Sequence, residues 1–215
     1  MDAFARDVRR VRAAQPAVRL LAHPEPHLCG HRPSEDPERV MTEAAEPLDG
    51  PRGARPAALA RELDVWPNPG TVYERGADGR VYNTAPVYSP ARELVAACRK
   101  MFPWRPHETT ADGADFVVFD LPGHGRVGLT ICYDAWFPQV TRHLARQGAD
   151  LVLNLVHTPT ADRAQEVVLA RAHAIVNQVF MASLNAAAPD GAGRSLVVDP
   201  EGGYAPRAGP APRRS

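Results

Sequence analysis

The 215-residue sequence predicts an α/β layered fold. Two patterns carry that expectation. In the second half, strand-length apolar runs at 150–156, 178–184 and 195–198 alternate with helical periodicity at 138–147 and 161–177, the signature of helices layered on a sheet. Ahead of them lies a stretch of short β segments joined by Gly-containing turns, which reads as hairpins.

Each element has a local reason. Phe4, Val8 and Val11 fall at helical spacing, so residues 2–14 read as an amphipathic helix. Val18 to Ala22 reads as a short buried strand, stopped by His23-Pro-Glu-Pro26, where the prolines forbid both a helix and a continued ladder. Residues 31–53 are polar and Pro-rich and are expected to form a long loop, followed by a helix around Pro56 to Leu63. Thr71–Glu74 and Val81–Tyr88 flank Gly76-Ala-Asp-Gly79, a hairpin signal, and Glu93–Cys98 forms another strand that ends at Arg99-Lys100. Phe116–Phe119 and Arg126–Cys132 make a second hairpin about Gly123-His-Gly125, and Pro138 opens the following helix. From Gly202 onward the chain is Gly, Pro, Ala and Arg without periodicity. Residues 1–202 are therefore expected to form the folded domain and 203–215 a disordered Pro/Arg-rich tail.

Composition narrows the function classes. Formal net charge is zero, which gives no overall electrostatic case for nucleic acid or an anionic membrane as a partner. The longest apolar runs are strand-length, too short to span a bilayer. Residues 1–12 carry charges of both signs and no apolar run of the secretory type. Cys29, Cys98 and Cys132 form no CxxC pair and leave an odd count, which favours reduced thiols in a cytoplasm. His23, His27, Cys29 and His31 are all metal-capable. Pro24 and Pro26 exclude the helix that would stack such spacings on one face, so no metal site and no cofactor is read there.

Lysine usage singles out one position. The chain has 25 Lys+Arg, of which only residue 100 is Lys. A compact ammonium suits a single developing oxyanion, whereas guanidinium is a planar fork. Lys100 closes a strand, Glu25 follows one, and Cys132 ends one just before a helix. In open α/β folds ligands gather outside the carboxyl ends of strands. A strand–turn–helix corner exposes a nucleophile while the next backbone N–H, that of Tyr133, points at the same spot. Taken singly, each residue has a plainer explanation: a packed core thiol, a solvated loop Glu, a stray Lys.

Taken together, they resemble a known family. Glu25 in His-Pro-Glu-Pro-His-Leu-Cys-Gly, Lys100 in Cys-Arg-Lys-Met-Phe-Pro and Cys132 in Ile-Cys-Tyr-Asp-Ala-Trp-Phe-Pro look like the three signature segments of the nitrilase superfamily of carbon–nitrogen hydrolases. Gly70–Glu74, Tyr82–Thr84, Arg171–Gln178 and Ser195–Gly202 agree with it in order and spacing. The resemblance implies a four-layer α-β-β-α sandwich and a cysteine amidohydrolase that is a cytoplasmic homodimer. It also implies Glu25 as general base and acid, Lys100 as oxyanion partner and Cys132 as nucleophile. Tyr133 would add an oxyanion N–H, Glu108 would position Lys100 and substrate, and Trp104 would wall the pocket. The implied substrate is a small linear amide, with nitriles or N-carbamoyl compounds as alternatives. Arg often follows the nucleophile in members that take carbamoyl amino acids; Tyr133-Asp-Ala-Trp136 lowers that option. The chain departs from the family pattern at Gln139 and Val176, where acidic residues are usual. Against that pattern a shortened chain is expected, without a first strand and without the continuation past Gly202, which predicts marginal stability. Two further classes compete: a catalytically silent homologue acting as a dimerising or binding module, and a zinc protein resting on the His/Cys loop alone.

Overall fold

The computed structural model describes residues 2–26, 28 and 36–205. Five helices and ten strands follow one another along the described chain. Helix α1 (Asp2–Ala14) leads into strand β1 (Leu20–Ala22), and α2 (Pro37–Ala44) and α3 (Pro51–Leu63) follow. Strands β2 (Trp66–Asn68), β3 (Val72–Arg75), β4 (Val81–Tyr88) and β5 (Leu94–Arg99) then make the first half's sheets. The second half runs β6 (Val117–Leu121), β7 (Gly125–Ile131), a 3₁₀ turn over Cys132–Trp136, α4 (Pro138–Arg146), β8 (Leu151–Val156), α5 (Arg163–Asn177), β9 (Phe180–Asn185) and β10 (Leu196–Val198).

The long loop expected over 31–53 is corrected in part. Asp36 caps a helix, its side chain accepting from the Glu38 N–H at 3.2 Å, and Pro37 stands in the first helical turn. Both are start signals that polar composition masks. A second proline, Pro51, opens α3 earlier than expected, so only residues 45–50 of the described part join helix to helix. Residues 31–35 lie outside the described residues, as do His27, Cys29 and the tail from 206 on.

The layers follow from where apolar faces go. Strands β7, β8 and β9 pair in parallel at the centre of a five-stranded sheet ordered β10-β9-β8-β7-β6, with antiparallel strands at both edges. Parallel strands buried on both faces read as near-continuous apolar runs, which is why Leu151-Val-Leu-Asn-Leu-Val156 can occupy the centre. Facing this sheet are the antiparallel β3-β4-β5 and the parallel pair β1-β2. The core between the two layers contains Val87, Cys98, Phe119, Leu129, Ile131, Leu153 and Leu155. On the far side of the larger sheet, Val140 and Leu144 of α4 and Ala170 and Ala174 of α5 cover Val152 and Met181. On the opposite outer face, Phe4 and Val8 of α1 and Leu59 of α3 pack on Leu21. The result is the expected α-β-β-α sandwich. Past β10 the chain continues in contact, Val198 bridging Tyr204.

Candidate active site

Glu25, Lys100 and Cys132 come from three different strand ends, and the fold brings them together. Glu25 lies just beyond β1, Lys100 just beyond β5 and Cys132 just beyond β7. Lys100 is fully buried at 0% exposure, and its Nζ donates to Glu25 Oε1 at 3.1 Å and to Glu108 Oε1 at 2.6 Å. Burial works against its charge. The carboxylates of Glu25 and Glu108, with Cys132 between them in influence, outweigh burial and hold the ammonium above its usual range.

Glu25 is 4% exposed. Besides Lys100 it accepts from Asn83 Nδ2 at 2.5 Å, while the Asn83 carbonyl receives the Lys100 backbone N–H at 2.8 Å. Asn83 therefore positions base and cation at once from the middle of β4. The other Glu25 oxygen, Oε2, has no hydrogen-bond partner among the described residues.

Cys132 has φ 48°, a left-handed conformation for a residue that carries a Cβ. Such strain collects at functional sites and persists only where the surroundings over-determine it. Here the parallel β7–β8 register delivers the turn beside the end of β8, close enough for the His157 backbone N–H to act on the sulfur. Burial, with Glu25 adding to it, pushes the thiol well above its usual range, and Lys100 and the His157 N–H pull partly back.

Asp134, two residues on, is 1% exposed. Its Oδ1 accepts from the backbone N–H groups of Met101 and Phe102 at 3.1 and 2.8 Å, and its Oδ2 from that of Ile131 at 3.0 Å. Burial raises its carboxyl to about 7, against the lowering effect of the Phe102 and Ile131 donors.

A cleft of ≈ 300 Å³ opens on the sulfur. Trp104, Tyr133 and Trp136 line it with Glu108, His157, Thr158 and Glu166. Trp104 is 44% exposed and its backbone N–H donates to Glu108 Oε2 at 2.8 Å. Tyr133 meets Trp136 with ring centroids 5.9 Å apart. Beneath the cleft a buried network anchors the start of α5. Glu166 accepts from Thr158 Oγ1 at 2.7 Å and from Arg163 at 3.1 Å. Arg163, 1% exposed, also donates to Ser183 Oγ and to the carbonyls of Ser183, Gly193 and Arg194.

All six residues singled out by sequence gather here: Glu25, Lys100, Glu108 and Cys132 around one charge cluster, Tyr133 and Trp104 on the cleft wall. Sequence reading missed Asn83, Asp134, His157, Thr158 and Glu166. Asn83 stands in the Tyr82-Asn-Thr84 segment, a buried amide in an otherwise apolar strand, and that was its available signal. No group of metal-capable side chains forms among the described residues. Three members of the His/Cys cluster read earlier, His27, Cys29 and His31, lie outside them. No described helix is long and apolar enough to cross a membrane.

The chain is similar to known proteins in sequence and in fold. Residues 6–213 match the family model described as carbon-nitrogen hydrolase. The sequence is 31% identical over 191 residues to omega-amidase NIT2 of Homo sapiens, covering 80% of this chain and 67% of that protein. It is 28% identical over 186 residues to the formamidase of Bacillus thuringiensis, covering 86% of this chain and 55% of the relative. The chain thus spans between about half and two thirds of the length of these relatives. Among solved structures, Nit3 of Saccharomyces cerevisiae, a member of branch 10 of the nitrilase superfamily, superposes with a TM-score of 0.80 at 26% identity. That match covers 93% of this chain and 76% of the Nit3 chain.

Proposed function

The chain belongs to the carbon–nitrogen hydrolases, and from that membership we propose that it hydrolyses the C–N bond of a small linear amide through a thioester on Cys132. The observation that carries the reading is the fully buried Lys100 held between Glu25 and Glu108 beside Cys132, whose side chain lines the cleft.

An amide carbonyl is a poor electrophile, so splitting the reaction through a covalent intermediate lowers each barrier. Glu25 takes the proton from Cys132 as the S–C bond forms at the carbonyl carbon. The C=O electron pair moves to oxygen, where the Lys100 ammonium and the Tyr133 N–H stabilise it. Two of the three ammonium donors are engaged by carboxylates, and the third remains for this oxyanion. Glu25 then passes its proton to the leaving nitrogen, the C–N bond breaks, and ammonia or an amine departs. Water attacks the thioester with Glu25 accepting its proton. The C–S bond breaks, the sulfur recovers the proton, and the carboxylic acid leaves. A donor to such an oxyanion contributes ~2.7–4 kcal/mol.

The relatives' names, omega-amidase and formamidase, support the amide over the nitrile. Self-association belongs to the same reading: Val168, Val176 and Tyr204 are 65%, 54% and 59% exposed on one flank around α5.

Intact mass spectrometry during incubation with a panel of short amides and nitriles tests the proposal, with ammonia release followed in parallel. An acyl adduct mapping to Cys132 and ammonia released from amides are expected. Folded protein that yields neither adduct nor ammonia would overturn the reading in favour of a binding module.

A further inference from the structure

Asp134 hydrogen-bonds two segments that come from different sheet layers. Its Oδ2 accepts from Ile131, the residue before Cys132, which closes the 3₁₀ turn locally. Its Oδ1 reaches across to Met101 and Phe102, the two residues after Lys100, 33 and 32 positions away in the chain. One carboxylate therefore ends in both the nucleophile's turn and the cation's turn. Its immediate surroundings add stiffness. Phe102 stacks on Phe137 with centroids 3.8 Å apart, and His173 of α5 donates to the Ala135 carbonyl at 2.8 Å.

We propose that Asp134 is a positioning residue that sets the distance between the Cys132 sulfur and the Lys100 ammonium. It acts through backbone groups and touches no substrate atom. The inference rests on Cys132 and Lys100 working together as proposed above. If the carboxylate only capped its own turn, the Ile131 bond would suffice. The two additional bonds run to the segment whose first residue is the cation. Without them, residues 101 and 102 have two buried donors to satisfy elsewhere, and the end of β5 loses its reference to the end of β7.

The test uses Asp134→Asn and Asp134→Ala in the full chain, with three readouts. The first is turnover of a short amide, separated into kcat and KM and corrected for folded fraction. A misplacement of about 1 Å at a reacting centre can lower rate ~10²-fold, so kcat is expected to fall by about one to two orders of magnitude. KM should stay within about threefold, because the cleft lining is untouched. The second readout is the rate of Cys132 alkylation by iodoacetamide, referred to the rate for the same thiol in the urea-unfolded chain. Lys100 favours the thiolate, so its displacement should slow alkylation. Removing a negative charge without displacement would leave the rate unchanged or raise it. This readout needs no amide turnover, so it separates failure of the inference from failure of the proposed reaction. The third is hydrogen exchange in the unmodified protein, which stands even if the variants do not fold. The amides of Met101, Phe102 and Ile131 should be strongly protected together. Loss of melting temperature with unchanged corrected kcat and unchanged alkylation would overturn the inference. So would a Phe102 amide that exchanges as fast as an open loop.

Discussion

Lys100 occupies a space with no room for a larger head group. It is completely enclosed, and both carboxylates that hold it do so through one nitrogen. Lys100→Arg keeps the charge but spreads it over a fork that cannot take the same point. Amide turnover is expected to fall by at least the worth of one oxyanion donor, about 10²–10³-fold, and a steady-state assay checks it. The two well-described thiols should separate equally sharply. Cys98 is buried between the sheets at 2% exposure, where burial, helped by the charges of Asp134 and Asp115, pushes its thiol up, and it does not line the cleft at Cys132. Cys132→Ala should abolish both turnover and the acyl adduct, while Cys98→Ala should alter stability alone; peptide mapping after alkylation distinguishes them. At this scale the sequence is most informative where a residue type is rare or chemically extreme. A lone Lys and a Cys at a strand end stand out. Asp134 and Asn83 do not, because a carboxylate in a turn or an amide within a strand is indistinguishable from a surface residue until its partners are known. Those partners lie 32 and 58 residues away.

Helix α5 illustrates what an element adds. Its first turn holds Arg163 and Glu166 as a buried pair under the cleft, and its last third lends His173 to the turn that carries Cys132. Arg163→Met would strand Glu166 without its cation in a buried position, and breaking one partner of such a pair costs about 3–5 kcal/mol. Urea unfolding should show that loss, and Arg163→Met with Glu166→Gln should recover part of it. His173 supplies a pH signature. Burial lowers its folded pKa below the ordinary 6.5, with the Ala135 carbonyl partly opposing. The unfolded chain therefore binds the proton more readily. The stabilising contribution of the neutral ring is full above the unfolded value and is lost as pH falls through the lowered folded one. His23 shifts in the same direction, so the comparison needs a variant that changes only His173. The stability gap between wild type and His173→Gln should be wider at about pH 7.5 than at about pH 5.5; a gap that does not change would contradict a buried neutral ring. Elements with strong periodicity were legible in sequence, down to the Pro138 start of α4. Helix α2 was not, because its capping Asp36-Pro37 pair lies inside a polar, proline-rich stretch where composition argues for loop.

The sandwich as a whole splits the chemistry between its two sheet layers. Glu25 and Lys100 belong to the smaller layer, at the ends of β1 and β5, and Cys132 to the larger, at the end of β7. The layered order could be read from alternating strands and helices. The facing of the two layers could not, because it depends on contacts such as Val87 and Cys98 against Leu129 and Leu155 that no local pattern records. This division makes the site a gauge of assembly. Cys132 meets Glu25 and Lys100 only where the two layers face each other, and Glu25 and Lys100 are themselves 75 residues apart in the chain; contacts of such long range form late in folding. A refolding chain should regain its helical signal first and the selective reactivity of Cys132 over Cys98 only afterwards. Stopped-flow circular dichroism beside quenched-flow alkylation would resolve the two events, and simultaneous recovery would count against the gauge. Under the proposed reaction, activity would then report the meeting of two half-structures, and a clipped or half-assembled chain would show none.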